Sequence, residues 1–260
     1  MGHVVLTREI VPAIDRCELT HLARVPIDVE KAQAQHVVYE RVLERLGCVV
    51  ERLPAAPEMA DSVFIEDIAL VLDEIAIITR PGAPSRRAEV PEVEAAVARF
   101  RSCRRIEPPG TLDGGDVLAV GKAVFVGCST RTNGEAVSQL RRLLAPFGYA
   151  VEPVVVRGAL HLKSAVTAVG DSLLLVNRGW APVDVLGAFE LLETHPLEPH
   201  GANALRVGDS IVYPQAFPRT REVLERRGLD VRCVDMSELA KAEGAVTCCS
   251  LVFNQLTAEG

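Results

Sequence analysis

The chain has 260 residues, 48% of them apolar, enough for a large core and against intrinsic disorder. Its 35 acidic and 28 basic residues give a formal charge of -7 with no basic run, so a nucleic-acid partner is not expected. The opening MGHVVLTREI has no charged leader ahead of a long apolar stretch, no later run is apolar enough to span a membrane, and the seven cysteines are irregularly spaced; the expectation is a cytoplasmic protein with reduced thiols.

A stretch with helical spacing, VEKAQAQHVVYERVLERLG, begins at Val29. A local pattern then recurs: an apolar strand, a short turn carrying a charge or glycine, a second apolar strand, and usually a helical stretch. The turn falls at Asp73 and Glu74 in IALVLDEIAIITR, with PEVEAAVARF following from Pro91. It falls at Gly121 and Lys122 in DVLAVGKAVFVG, with NGEAVSQLRRLLAPFG following from Asn133. Gly170 and Asp171 turn AVTAVGDSLLLVN, and Gly208 and Asp209 turn ALRVGDSIVYP ahead of PRTREVLERRG from Pro218. Gly-Lys and Gly-Asp suit two-residue hairpins that demand positive φ, and Pro or Asn opens several of the helices.

A fifth unit requires the chain ends, with TCCSLVF pairing against GHVVLTRE. The pattern predicts an α/β fold, a five-bladed pseudo-symmetric α/β propeller, formed as a closed ring of ββαβ-like units in one domain spanning residues 1–260. A doubly wound parallel sheet fits less well, because tight hairpins do not make parallel crossovers.

Polar residues recur just ahead of the hairpins: Glu66 and Asp67, Asp113 and Asp116 in LDGGD, His161, Asn203, then Cys248 and Cys249. Singly, these read as turn chemistry, a core histidine and a packed cysteine pair. In a ring of radial units, strand starts nearest the axis converge, so equivalent placement points to one shared site. Cysteine is a strong nucleophile once ionised, histidine moves protons near neutrality, and a carboxylate can aim the ring.

With LDGGDVL, LHLKS and TCCS on the page, the sequence resembles the dimethylarginine dimethylaminohydrolases of the guanidine-modifying (pentein) superfamily. The resemblance runs from CELTH at Cys17 through SVFIEDIAL, ITRPGAPSRRAEV, STRTN and MSEL to TCCSLVF, nearly the whole chain. It implies the five-bladed propeller and hydrolysis of free Nω-methylated L-arginines to L-citrulline and a methylamine, with no metal and no organic cofactor. It implies Cys249 as nucleophile, His161 as general acid and base, and Asp113 as the group orienting His161. Asp67 would grip the guanidinium with Glu66 in support, Arg86 and Arg131 would clamp the α-carboxylate, and Asp61 with the Leu19 carbonyl would receive the α-ammonium. Glu243 in KAEGAVTCC departs from the expected pattern: a backbone contact near the substrate amine is expected there, and its carboxylate either favours a cation or faces solvent. Cys248 is read as packing, with a metal-trapping or oxidisable pair with Cys249 as the alternative.

Two other readings stay open: a hydrolase or deiminase acting on arginine or another Nω-substituted arginine, and a non-catalytic propeller that binds a partner. The cysteine, histidine and acidic motifs standing together favour an enzyme. The expected partner is a small-molecule substrate, with the chain a monomer or homodimer and the aperiodic Leu19 region a candidate lid.

Overall fold

Each hairpin expected from its turn forms, and each gains a third, parallel strand. The computed structural model describes residues 2–255. Strand β1 (His3–Arg8) leads through an irregular stretch to helix α1 (Val29–Arg45), where Asp28 caps the first turn by accepting from the Lys31 N–H at 3.0 Å. β2 (Val49–Leu53) returns parallel to β1.

In the next unit β3 (Ala69–Val71) and β4 (Ala76–Ile78) pair antiparallel, and α2 (Val90–Val97) carries the chain to β5 (Cys103–Arg105), parallel to β4. The plan repeats with β6 (Val117–Val120), β7 (Ala123–Cys128), α3 (Gly134–Leu144) and β8 (Ala150–Val155). Asn133 caps α3, its side chain accepting from the Ala136 N–H at 3.1 Å, as its position before the apolar run suggested.

The one-turn helix α4 (Leu162–Ala165) precedes β9 (Val166–Ala168), β10 (Leu173–Val176) and β11 (Glu190–Glu193). No long helix bridges β10 and β11: Gly179, Pro182 and Gly187 punctuate that crossover, leaving a 3-10 turn at Asp184–Leu186. Then come β12 (Leu205–Val207), β13 (Ser210–Pro214), α5 (Pro218–Arg226) and β14 (Asp230–Val234). After the one-turn helix α6 (Ser237–Ala240), β15 (Leu251–Asn254) pairs antiparallel with β1, Val4 opposite Phe253. The fifth hairpin is thus made from the two ends of the chain.

The result is five separate three-stranded sheets among the described residues, and no sheet closes on itself. Gly121 and Gly208 sit at φ 57°, as two-residue turns require, whereas the turn at Gly170 is wider and keeps that glycine out of the left-handed region. Alternate residues of β1 enter two different cores, Val5 beneath α1 with Tyr39 and Leu43, and Val4 and Leu6 against α2 with Val93 and Val97. No described helix is long and apolar enough to cross a membrane.

Candidate active site

Just ahead of the first strand of the units stand short 3-10 or one-turn segments: Ile65–Ile68 before β3, Gly114–Asp116 before β6, and α4 before β9. They carry Asp67, Asp116 and, at the N-terminal edge of α4, His161. The glycines of LDGGD are there for space rather than for turning. A Cβ on Gly115 would stand 2.6 Å from His161 Nδ1 and 2.8 Å from Asp67 Oδ1, and one on Gly114 would stand 2.0 Å from the Glu66 carbonyl oxygen. Only glycine lets these segments close on one another.

His161 is buried, with Nε2 3.1 Å from Asp113 Oδ2 and Nδ1 3.8 Å from Asp67 Oδ1. Burial disfavours its charged form, but Asp67, Asp113 and Asp116 outweigh this and raise its pKa to about 9. Asp113 is fully buried behind the ring and also accepts from the Gly82 N–H at 2.8 Å. Burial likewise works against the charge on Asp67, yet His161, Arg86 and the Gly115 N–H hold its pKa at about 2. Two carboxylates thus grip one imidazolium from its two nitrogens.

The two cysteines divide differently from the expectation. Cys249 is fully buried in the core under α1, with its thiol donating to the Ala245 carbonyl at 3.5 Å. Cys248 is partly exposed and lines a small cavity shared with His161, Asp61, Asp67, Arg86 and Arg131. The structure places Cys248 on the cavity and Cys249, the residue expected there, in the core: only one of two successive thiols ahead of β15 faces the cavity, while the other packs against the helix. Burial, with Glu66 and Asp67 nearby, pushes the Cys248 thiol up to about 12.

Glu66 faces away from this cavity. Lys163 Nζ donates to its Oε1 at 2.5 Å and Thr247 Oγ1 to its Oε2 at 2.9 Å, while Asn203 bonds Thr247 Oγ1 at 3.0 Å. Four units meet in that network. Lys163 and Thr247 lie within LHLKS and TCCS, and their placement beside His161 and Cys248 was the signal that could have found them.

Arg86 is buried and its donors are committed: Nε and Nη2 to Glu89, Nη1 to Asp67 at 2.5 Å, and Nη2 also to the carbonyls of Asp61 and Phe64. Glu89, unmarked in the sequence reading, is thus the anchor of Arg86, and the expectation that Arg86 is free to clamp a carboxylate does not hold in this conformation. Arg131 is less engaged, with Nη2 donating to Thr20 Oγ1 at 3.3 Å and Nη1 3.7 Å from Asp113. Asp61 accepts the Glu18 N–H at 3.1 and 3.2 Å, and burial raises its pKa to about 6. Leu19 packs on the core beneath α1, and Glu18 rather than Leu19 lines the cavity.

The half-buried Glu243 carboxylate is taken up by backbone donors rather than left free for a cation. It accepts from three successive N–H groups, Thr20 (3.1 Å to both oxygens), His21 (2.5 Å) and Leu22 (2.7 Å). Its backbone sits at φ 58°, a conformation costing a non-glycine residue roughly 1–3 kcal/mol, so the surrounding contacts must hold it. Asp67, Asp113 and His161 also bring one ligand atom each within 4.8 Å of one another, but the guanidinium on Asp67 and the imidazolium itself already neutralise this cluster.

No protein-family model matches the chain. It is 40% identical over 254 residues to the N(G),N(G)-dimethylarginine dimethylaminohydrolase of Streptomyces coelicolor, covering 96% of this chain and 97% of that one. The enzyme of the same name from Pseudomonas aeruginosa is 35% identical over 253 residues, covering 96% and 99%. A solved structure of a Pseudomonas aeruginosa variant complexed with citrulline superposes with a TM-score of 0.91 at 34% identity, covering 96% of this chain and 98% of that one. Identity at this level over at least 96% of both chains, with a fold that superposes this well, makes this chain a member of the dimethylarginine dimethylaminohydrolase family.

Proposed function

We propose that the chain hydrolyses free Nω-methylated L-arginines to L-citrulline and methylamine or dimethylamine, with Cys248 as the nucleophile. The observation that carries this is a single cavity walled by one thiol, one imidazolium and a carboxylate held ionised. The activity named for the relatives, and the citrulline held by the Pseudomonas variant, support the substrate class.

A guanidinium entering beside Asp67 brings a positive charge to the resting Cys248 thiol, favouring its thiolate, and the thiol proton leaves to solvent. The thiolate then forms a C–S bond to the central guanidinium carbon. As that adduct collapses, the C–N bond to the methylated nitrogen breaks and His161 gives the departing amine its proton, leaving a thiouronium on Cys248. His161, now neutral and still aimed by Asp113, takes a proton from water; the water oxygen bonds the same carbon, the C–S bond breaks with the hydroxyl proton passing to the departing sulfur, and citrulline forms. Arg131 is the readier partner for the α-carboxylate and Asp61 for the α-ammonium, while Arg86 keeps Asp67 aligned. A peptide-bonded arginine presents an amide in place of that carboxylate and loses the ion pair.

The ring architecture belongs to the same reading: five quasi-equivalent units in one domain around a common axis. Its support is that the first strands of all five sheets line one cavity of about 700 Å³ on the Glu66 and Lys163 side. The seven unpaired cysteines favour a reducing, cytoplasmic setting.

The test is a product assay with asymmetric dimethylarginine, monomethylarginine and arginine side by side on the unaltered protein and on Cys248→Ser and Cys249→Ser. Citrulline should form from the methylated substrates, vanish with Cys248→Ser and persist with Cys249→Ser. Turnover surviving Cys248→Ser would remove the nucleophile assignment, and ammonia from arginine as the dominant product would remove the substrate assignment.

A further inference from the structure

We propose that Glu243 is a positioning residue, a clasp that holds the strap of residues 18–22 over the catalytic cavity and whose release admits substrate. The inference deepens the reading above and rests on it for the identity of the substrate.

The closed state is too small for any amino acid. The cavity around Cys248 and His161 measures about 20 Å³, close to the space of one water, where ligand pockets run to about 300 Å³ or more. The strap must therefore move. It is tied down by three side chains that line this cavity: Asp61 to the Glu18 N–H, Arg131 to Thr20 Oγ1, and Glu243 to the N–H groups of Thr20, His21 and Leu22.

These ties are not equivalent. In the proposed substrate pose the α-ammonium takes over Asp61 and the α-carboxylate takes over Arg131, so both contacts are traded away on binding. The Glu243 contacts compete with nothing on the substrate. They are the ties that close the strap again over bound substrate, and they set how often the free protein opens.

The surroundings fit a moving part on a fixed mount. Glu243 is followed by Gly244, where a Cβ would stand 2.3 Å from the Phe64 ring, so the backbone beneath the clasp is locked against the core. On the far side of the strap lies an apolar cavity of about 350 Å³, walled by His21, Leu22, Trp180 and Met236 and sharing Leu160, Glu243 and Gly244 with the catalytic cavity. Opening the clasp joins the two spaces, and the joined volume suits an amino acid.

The experiment compares the unaltered protein with Glu243→Ala and Glu243→Gln by hydrogen exchange and by steady-state kinetics on asymmetric dimethylarginine. In the substrate-free protein, the amides of residues 20–22 should lose protection in Glu243→Ala while those of β1 and β15 keep theirs. Asp61 and Arg131 still hold the free strap, whereas in the complex Glu243 alone closes it, so the complex loses more of its closed population than the free protein does, and KM should rise about tenfold with kcat changed much less. Glu243→Gln, which keeps one carbonyl acceptor, should fall between the two and serves as the readout if the alanine variant does not fold. Unchanged protection at residues 20–22, or a loss carried by kcat with KM unmoved, overturns the clasp. If the unaltered protein does not hydrolyse dimethylarginine, the substrate reading fails while the exchange result still decides the clasp.

Discussion

Cys248 and Asp67 lie on one cavity with opposite electrostatic demands. Asp67, held at about 2, stays charged across the working pH range, and its charge opposes ionisation of the Cys248 thiol. Removing that charge by Asp67→Asn stabilises the thiolate and lowers the thiol pKa. A fall of about one unit gives tenfold more thiolate, partly offset because a less basic thiolate attacks more slowly, so alkylation of Cys248 at pH 8 should quicken about threefold. In the unaltered protein the alkylation rate should keep climbing with pH without levelling below pH 10. Asp67→Asn should also lose methylarginine hydrolysis, giving a variant more reactive to a thiol reagent yet inert to substrate; peptide mass spectrometry of the alkylated protein measures the first, and slower labelling would contradict the electrostatic account. The sequence carried the residue types but not their aim. Two successive thiols in TCCS look alike until β15 is laid against β1, and Glu89 holding Arg86, or Glu243 reaching residues 20–22, depends on packing that no local pattern encodes.

Short segments, not strands, carry the chemistry, and their glycines separate space from propensity. Gly115→Ala inserts a methyl where His161 and Asp67 approach, so it should destabilise by about 1–3 kcal/mol and abolish activity by parting those two side chains. Gly134, the first residue of α3, has nothing within 4 Å of its would-be Cβ and no positive φ, so Gly134→Ala should stabilise by about 0.4–1 kcal/mol with activity intact. Urea unfolding of the two variants checks both signs, and equal effects would mean the close approach at Gly115 does not matter. At this scale the sequence was informative where a cap or a turn glycine is a local device, as at Asn133, Gly121 and Gly208. It was uninformative at α4 and α6, single turns too short for periodicity, and in LDGGD, where glycines that look like turn residues are demanded by neighbours distant in sequence.

At the scale of the molecule, the repeat was legible because each unit closes with a local hairpin, and even the fifth could be inferred by joining the ends. What the repeat did not announce is the parallel third strand, which arrives only after the crossover. In the first sheet β15 and β1 stand where β6 and β7 stand in the third: an antiparallel pair followed by a strand parallel to its second member. The difference is that a two-residue turn links β6 to β7, while β15 and β1 lie far apart in sequence, with the Gln255 N–H donating to the Gly2 carbonyl at 2.8 Å. Quasi-equivalence makes the position of the break arbitrary. A circular permutant that joins Gln255 to Gly2 through an Asn-Gly turn and opens the chain between Gly121 and Lys122 exchanges the roles of these two hairpins while keeping the strand pairings of both sheets. It should fold cooperatively and form citrulline at a rate within a few-fold of the unpermuted chain, because Cys248, His161 and Asp67 keep their supporting segments. Circular dichroism and the citrulline assay measure this; a permutant that remains unfolded would mean the β6–β7 turn nucleates the molecule in a way the β15–β1 junction cannot replace, and the five units would not be equivalent.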